Sequence, residues 1–154
     1  LVNDVLNANP AIAAAREAMK HAYAPYSRFR VGAALRTRAG RVFTGCNVEN
    51  AAFGLAFCAE RGAISAAVVA GEREFEEIAI VSSSPMPTPP CGACRQVLAE
   101  FAADLEIVMA GEKETVRTSL ARLLPAAFRA GNLAGGTVPD YSGVSSARRT
   151  RRKK

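Results

Sequence analysis

One histidine, His21, is all the chain offers among 154 residues. That scarcity excludes a zinc site built from several imidazoles and makes a serine or cysteine hydrolase with a histidine base unpersuasive. No glycine-rich loop of the kind that cradles phosphate is present. No apolar run approaches the length of a transmembrane helix, and residues 1–10 lack the basic start and apolar stretch of a secretory signal, so a cytoplasmic protein is expected. Internal repeats are absent, as is an aromatic and basic strip that would track a nucleic-acid strand.

The excess of positive charge is also narrowly placed. Lys and Arg number 20 against 14 Asp and Glu, yet Arg148, Arg149, Arg151, Arg152, Lys153 and Lys154 lie in the last seven residues. Without them the chain is neutral, so the basicity describes an appendage and gives the body no reason to bind nucleic acid beyond weak contacts of the tail. Hydrophobic residues at 49% and charged residues at 22% are globular values. The expected organisation is one domain over 1–130, followed by a Gly/Ser-rich, mobile basic tail over 131–154.

Apolar Ile12, Ala15, Met19 and Ala22 recur at helical intervals, which predicts a helix from Pro10 to about Tyr23. Residues 31–35 and 41–43 flank Arg38-Ala39-Gly40 and read as a hairpin. A second helix is expected from Cys58 to Ala70, stopped by Gly71, and a buried strand over 77–82. Pro90 suits a helix start, giving a third helix over 91–101, then a strand over 105–109, with Thr118 capping a last short helix. Alternating strands and helices imply an α/β protein with a sheet covered on both faces, an α/β/α sandwich.

What the chain does have is four cysteines, three of them in two compact segments: Cys58-Ala59-Glu60-Arg61 and Pro90-Cys91-Gly92-Ala93-Cys94-Arg95. Zinc prefers tetrahedral N/S coordination, and a catalytic site supplies three protein ligands and leaves the fourth position to water. Cys58, Cys91 and Cys94 fill that quota at the starts of two helices, where exposed N–H groups and the helix dipole favour thiolates. Three thiolates on a divalent cation leave a net negative cluster. Arg61, and less directly Arg95, can offset that charge by donating to sulfur. Glu60 is not needed as a ligand and can carry protons above the open position, so the pattern points to hydrolysis by activated water. Cys46 falls outside the set and reads as a buried, inert thiol.

These two segments resemble the small, homotetrameric cytidine deaminases, and the resemblance extends in order from about His21 to Phe128. It includes 24–34 (Ala-Pro-Tyr-Ser-Arg-Phe-Arg-Val-Gly-Ala-Ala), 45–51 (Gly-Cys-Asn-Val-Glu-Asn-Ala), Gln96-Val97-Leu98 and 123–128 (Leu-Leu-Pro-Ala-Ala-Phe). Three cysteine ligands with a non-ligand glutamate are a known signature of zinc deaminases. The resemblance implies a mixed sheet, one zinc per subunit, and attack of hydroxide at C4 of cytosine. Glu60 would move protons to N3 and then to the departing amine, giving uridine and ammonia in pyrimidine salvage. It further implies that Asn47 and Glu49 hold the ribose hydroxyls, Phe29 packs on the base, the Ala59 amide meets the pyrimidine oxygen, and Phe128 reaches the pocket of a neighbouring subunit in a tetramer.

Two positions depart from the usual pattern. Gly62 stands where Thr or Asn is commoner, and an interior helix glycine costs about 0.5–1 kcal/mol against Ala. Pro89 replaces a frequent Ser before Pro-Cys, which removes a pocket hydroxyl. Two other readings remain. A deaminase of a modified nucleoside or nucleoside antibiotic of the blasticidin S type would lack the Asn47 and Glu49 pair, and a non-catalytic structural zinc module would need a fourth protein ligand such as Cys46 or His21.

Overall fold

The computed structural model describes residues 9–133. Pro10–Met19 forms α1, Val31–Thr37 β1, Val42–Cys46 β2, Ala59–Val69 α2, Phe75–Ser82 β3, Gly92–Phe101 α3, Glu106–Ala110 β4, Thr115–Ser119 β5, Leu120–Leu123 α4 and Ala130–Leu133 α5. The expected boundary at 130/131 falls inside α5, and the rest of the expected tail lies outside the described residues.

The strands form one mixed sheet in the order β2-β1-β3-β4-β5, with β3 and β4 parallel and every other pair antiparallel. Helix α3 makes the crossover between the parallel pair, as such a connection requires. The central strands are buried on both faces, which explains why Ile78-Ala79-Ile80-Val81 is continuously apolar rather than alternating. On one face α1 lays Ala11, Ile12 and Ala15 against Ala34, Ala79, Val81 and Val108. On the other, Ala63, Ile64, Ala67 and Leu98 pack on Ala33, Leu35, Ile78, Ile80 and Ile107. This is the expected α/β/α layering.

Close helix seating follows from two glycines. A Cβ on Gly32 would stand 2.0 Å from the Ala15 carbonyl oxygen of α1, and one on Gly45 would stand 2.4 Å from Ala59 O and Ala63 N of α2. Gly62 of α2 faces Gly45 in turn, where its own Cβ would come within 3.3 Å of Gly45 Cα. Its lack of a side chain eases this close approach, which works against the poorer helix propensity. Gly45→Ala is expected to lower stability by about 1–3 kcal/mol, read as a lower urea midpoint at unchanged slope, because backbone rather than a flexible side chain must give way.

Several boundaries differ from the sequence reading. Helix α1 ends at Met19, and the chain continues in i+3 turns from Lys20 to Ala22 before Tyr23 leaves to pair with the 47–49 segment. Strand β5 was not expected. Its Thr-Val-Arg-Thr-Ser run is polar because it is an edge strand, half solvated and carrying Arg117 outward. Thr118 therefore lies in a strand, and Ser119 caps α4 by accepting from Arg122 N at 3.4 Å. Pro90 precedes the cap of α3 instead of opening the helix, because Cys91 itself occupies the cap position. A buried carboxylate, Glu77, joins the layers at the opposite end of the sheet from that cap: Asn9 caps α1 and donates to Glu77 at 3.1 and 3.2 Å, while Arg117 approaches it at 3.4 Å.

Candidate active site

Helix α2 runs back along the sheet into β3 through a short turn at Gly71, so its start lies at the end where β3 finishes and α3 begins. Both helix N-termini thus open on one point. Cys58 and Cys91 are their cap residues, one position earlier than first-turn placement, and Cys94 lies in the first turn of α3. The three sulfurs lie within 4.8 Å of one another, with Cys58 and Cys91 Sγ 3.9 Å apart. A tetrahedral zinc with Zn–S distances near 2.3 Å requires sulfurs about 3.8 Å apart.

The donors around the sulfurs fit a cation as well. Cys94 N approaches Cys91 Sγ at 3.5 Å, and Arg61 Nη2 donates to Cys58 Sγ at 3.5 Å and to Ala56 O at 3.0 Å. Arg61 also stacks on the Phe57 ring at 4.9 Å, and its buried Nε has no hydrogen-bond partner among the described residues. Cys58 is pulled down to about 5, chiefly by the Cys94 thiol donating to it and further by Arg61. The same contact, with burial and the Glu60 charge, pushes Cys94 up. Three sulfurs gathered at tetrahedral spacing, with an arginine donating to one of them, are a donor set that fits zinc. Cys58, Cys91 and Cys94 would hold it.

No fourth Cys, His, Asp or Glu joins this group among the described residues. Cys46 is half-buried on β2 rather than buried, and His21 follows α1. Arg95 does not reach the sulfurs; its Nε donates to Pro90 O at 2.8 Å and its Nη1 to Leu123 O at 3.0 Å.

Glu60, 4% exposed, stands in the first turn of α2 beside the cysteines. Burial first, and then the Cys58 charge, raises its pKa, so the carboxyl is easier to protonate than a solvated one. It lines a cavity of about 300 Å³ together with Cys58, Cys91, Ala59, Phe29, Asn47 and Glu49. The cavity also touches Val31, Val48, Phe57, Ile80, Thr88 and Pro89. Its depth is thus apolar with a few convergent polar groups, the usual character of a small-molecule site. Ala59 is the first residue of α2, where amides have no intrahelical partner.

The pocket's far wall is built by the 23–31 loop. Asn47 receives Val31 N at 2.8 Å on Oδ1 and gives Nδ2 to Phe29 O at 2.8 Å. Glu49 accepts from Tyr26 N at 2.9 Å, Ser27 N at 3.2 Å and the Ser27 hydroxyl, and that hydroxyl bond holds its pKa below the usual carboxylate range. Arg28 turns the loop at a left-handed φ of 61°, a conformation costing a non-glycine residue about 1 kcal/mol, and Phe29 then enters the wall. Both polar residues therefore shape the loop, and each keeps spare hydrogen-bonding capacity toward the cavity. Thr88, paired with Ser82 at 2.6 Å, supplies a hydroxyl one residue before the expected one at Pro89. Sequence reasoning missed Ser27, Thr88 and Gln96. Only the position of Gln96, directly after the cysteine clip and Arg95, was a clue.

Known proteins agree with this geometry. The family model described as "Cytidine and deoxycytidylate deaminase zinc-binding region" matches residues 7–110, a span containing all three cysteines and Glu60. The chain belongs to the cytidine and deoxycytidylate deaminase family. A cytidine deaminase from Halalkalibacterium halodurans is 46% identical over 116 residues, covering 74% of this chain and 88% of the relative. The crystal structure of a cytidine deaminase from Burkholderia pseudomallei superposes with a TM-score of 0.76 at 50% identity, covering 79% of this chain and 98% of that one. A blasticidin-S deaminase from Bacillus cereus is more distant, at 29% identity over 107 residues. As a member of this family the chain has the α/β deaminase fold and a zinc-binding region formed around Cys58, Cys91 and Cys94.

Proposed function

We propose that this protein hydrolyses cytidine and deoxycytidine to uridine or deoxyuridine and ammonia, as a cytoplasmic enzyme of pyrimidine salvage. The observation that carries the reading is the convergence of three sulfurs on one point beside a buried, non-ligand glutamate at the floor of a nucleoside-sized cavity. Cys58, Cys91 and Cys94 would hold zinc, which would act as a Lewis acid and lower the pKa of a water molecule. Glu60 accepts one proton from the attacking water and delivers it to N3, then carries the second, from the C4 hydroxyl, to the amine, so that the C–N bond breaks, ammonia leaves and the C4 carbonyl forms. The Ala59 amide N–H donates to the pyrimidine oxygen, Phe29 lies against the base, and Asn47 and Glu49 hold the ribose hydroxyls. Arg61 draws charge from Cys58, which keeps the three-thiolate cluster acidic enough to activate water.

Retention of Asn47 and Glu49 at the cavity favours an ordinary nucleoside over a nucleoside antibiotic, and the three-ligand group favours an open catalytic site over a closed structural one. The subunits assemble as a homotetramer. Supporting this, Tyr23, Tyr26, Phe53 and Leu55 are each more than half exposed on or beside the loops that border the pocket.

Ammonia release from cytidine, deoxycytidine and blasticidin S, with light scattering of the same sample, tests the reading. Turnover of the two nucleosides is expected, and turnover of blasticidin S alone would overturn it. Glu49→Ala is expected to raise the cytidine KM about 10- to 100-fold with zinc content unchanged, because two ribose hydrogen bonds and the Ser27 anchor go together. An unchanged KM would reject the ribose role.

A further inference from the structure

Phe128 is 57% exposed and does not line the pocket of its own chain, yet its backbone is held at two points. Gln96 Nε2 donates to Phe128 O at 2.7 Å, and Phe128 N donates to Gln96 Oε1 at 3.2 Å. We propose that Gln96 is a positioning residue that aims the Phe128 ring away from its own subunit and into the substrate pocket of a second copy of this chain. The proposal rests on the tetramer reading and on the cross-subunit place that the family resemblance implies for Phe128, and adds the device that sets the ring's direction.

The chain around Phe128 explains the need for such a device. After α4 the residues run without a helix or strand until α5, so no ladder of backbone bonds dictates which way residue 128 points. Leu123, Leu124 and Ala127 pack on the core and bring the segment alongside α3, with Arg95 holding the Leu123 carbonyl. Beyond that anchor a carboxamide is well suited to the task. It offers one donor and one acceptor in a plane, matching the C=O and N–H of a single residue, and so fixes the direction of that residue's Cβ.

An aromatic ring held outward gains nothing in water, whereas a second copy offers it a partner. The pocket carries part-exposed Phe29, Val48 and Phe57 on its lining, with Tyr26 and Phe53 in edge contact next to it. One chain thus displays both an aromatic projection and an open apolar receptor, the self-complementarity that closed symmetric assemblies use. Gln96 lies two residues after Cys94 on the same helix, so the aim of the ring toward one site is tied to the scaffold of another.

The test uses full-length, zinc-loaded protein carrying Gln96→Met, Phe128→Ala, or both. Methionine keeps the volume of glutamine and removes both hydrogen bonds. Gln96→Met is expected to raise the cytidine KM about tenfold with kcat, zinc content and oligomer mass unchanged, and the double variant to be no worse than Phe128→Ala alone. Gln96→Glu, which keeps only the acceptor for Phe128 N, is expected to fall between, and it stands in should the methionine variant fail to fold. A KM within twofold of the parent for both Gln96 variants, or losses that multiply in the double variant, would overturn the positioning role. Mixing Phe128→Ala subunits with Glu60→Gln subunits separates the underlying reading. Activity above that of Phe128→Ala alone is expected, because an intact ring is then donated to an intact site. No gain would place the ring in its own subunit and sink the intersubunit aim, whatever the Gln96 variants do.

Discussion

Glu60→Gln is expected to lower kcat for cytidine by about 10²–10⁴-fold while zinc content and melting temperature stay close to the parent's. Glutamine is isosteric, remains able to hydrogen bond at the cavity floor, and cannot shuttle protons. Because Glu60 is buried with its pKa raised by desolvation and by the Cys58 charge, the neutral amide is tolerated there without loss of structure. A fall in kcat with little change in KM would match a group whose role is made in the transition state. Turnover within tenfold of the parent in the zinc-loaded variant would remove Glu60 from the chemistry. Loss of zinc alongside activity would assign it to the metal instead.

Cys94→Ala is expected to abolish both bound zinc and measurable turnover. Cys94 is fully buried, and two remaining sulfurs fall short of the three protein ligands that a catalytic zinc needs. Cys46 is on β2 and outside the cluster, and the described residues offer no spare ligand. Stripping zinc from the parent with a chelator is expected to lower its melting temperature by about 10 °C, since a ligand bound only by the folded state stabilises it in proportion to occupancy. Restored zinc should recover both stability and activity. A Cys94→Ala protein that keeps one zinc per subunit by elemental analysis would refute the ligand assignment, and an unshifted melting temperature would separate the metal from the fold.

The elements that the sequence made legible are those whose signals are local. Helix α1 announced itself by apolar spacing, α2 by its Ala and Ile content and the stop at Gly71, α3 by the proline before it, and β3 by its short β-branched apolar run. Strand β5 escaped because an edge strand presents only one half-buried face, leaving Val116 as its single large apolar residue. The position of Pro90 was misplaced by one residue because cysteine is an unusual helix cap, and here its sulfur takes the place that a Ser or Asp oxygen would fill. Gly62 looked like a defect until Gly45 was seen beneath it.

For the site, the residue types and their short spacings were enough to name the metal and its sulfur donors. Cys91 and Cys94 lie at the start of one helix turn, and Glu60 and Arg61 lie two and three residues after Cys58, so backbone geometry alone brings each set together. What no local pattern contains is that Cys58 meets Cys91 across 33 residues, which happens because α2 enters β3 and α3 leaves it at one end of the sheet. The same holds for Ser27 on Glu49 and Gln96 on Phe128: each is a polar contact between distant segments that the fold brings together. Chemistry was thus written in adjacent residues, whereas the shape of the pocket and the aim of its walls arose only when the helices seated on the sheet.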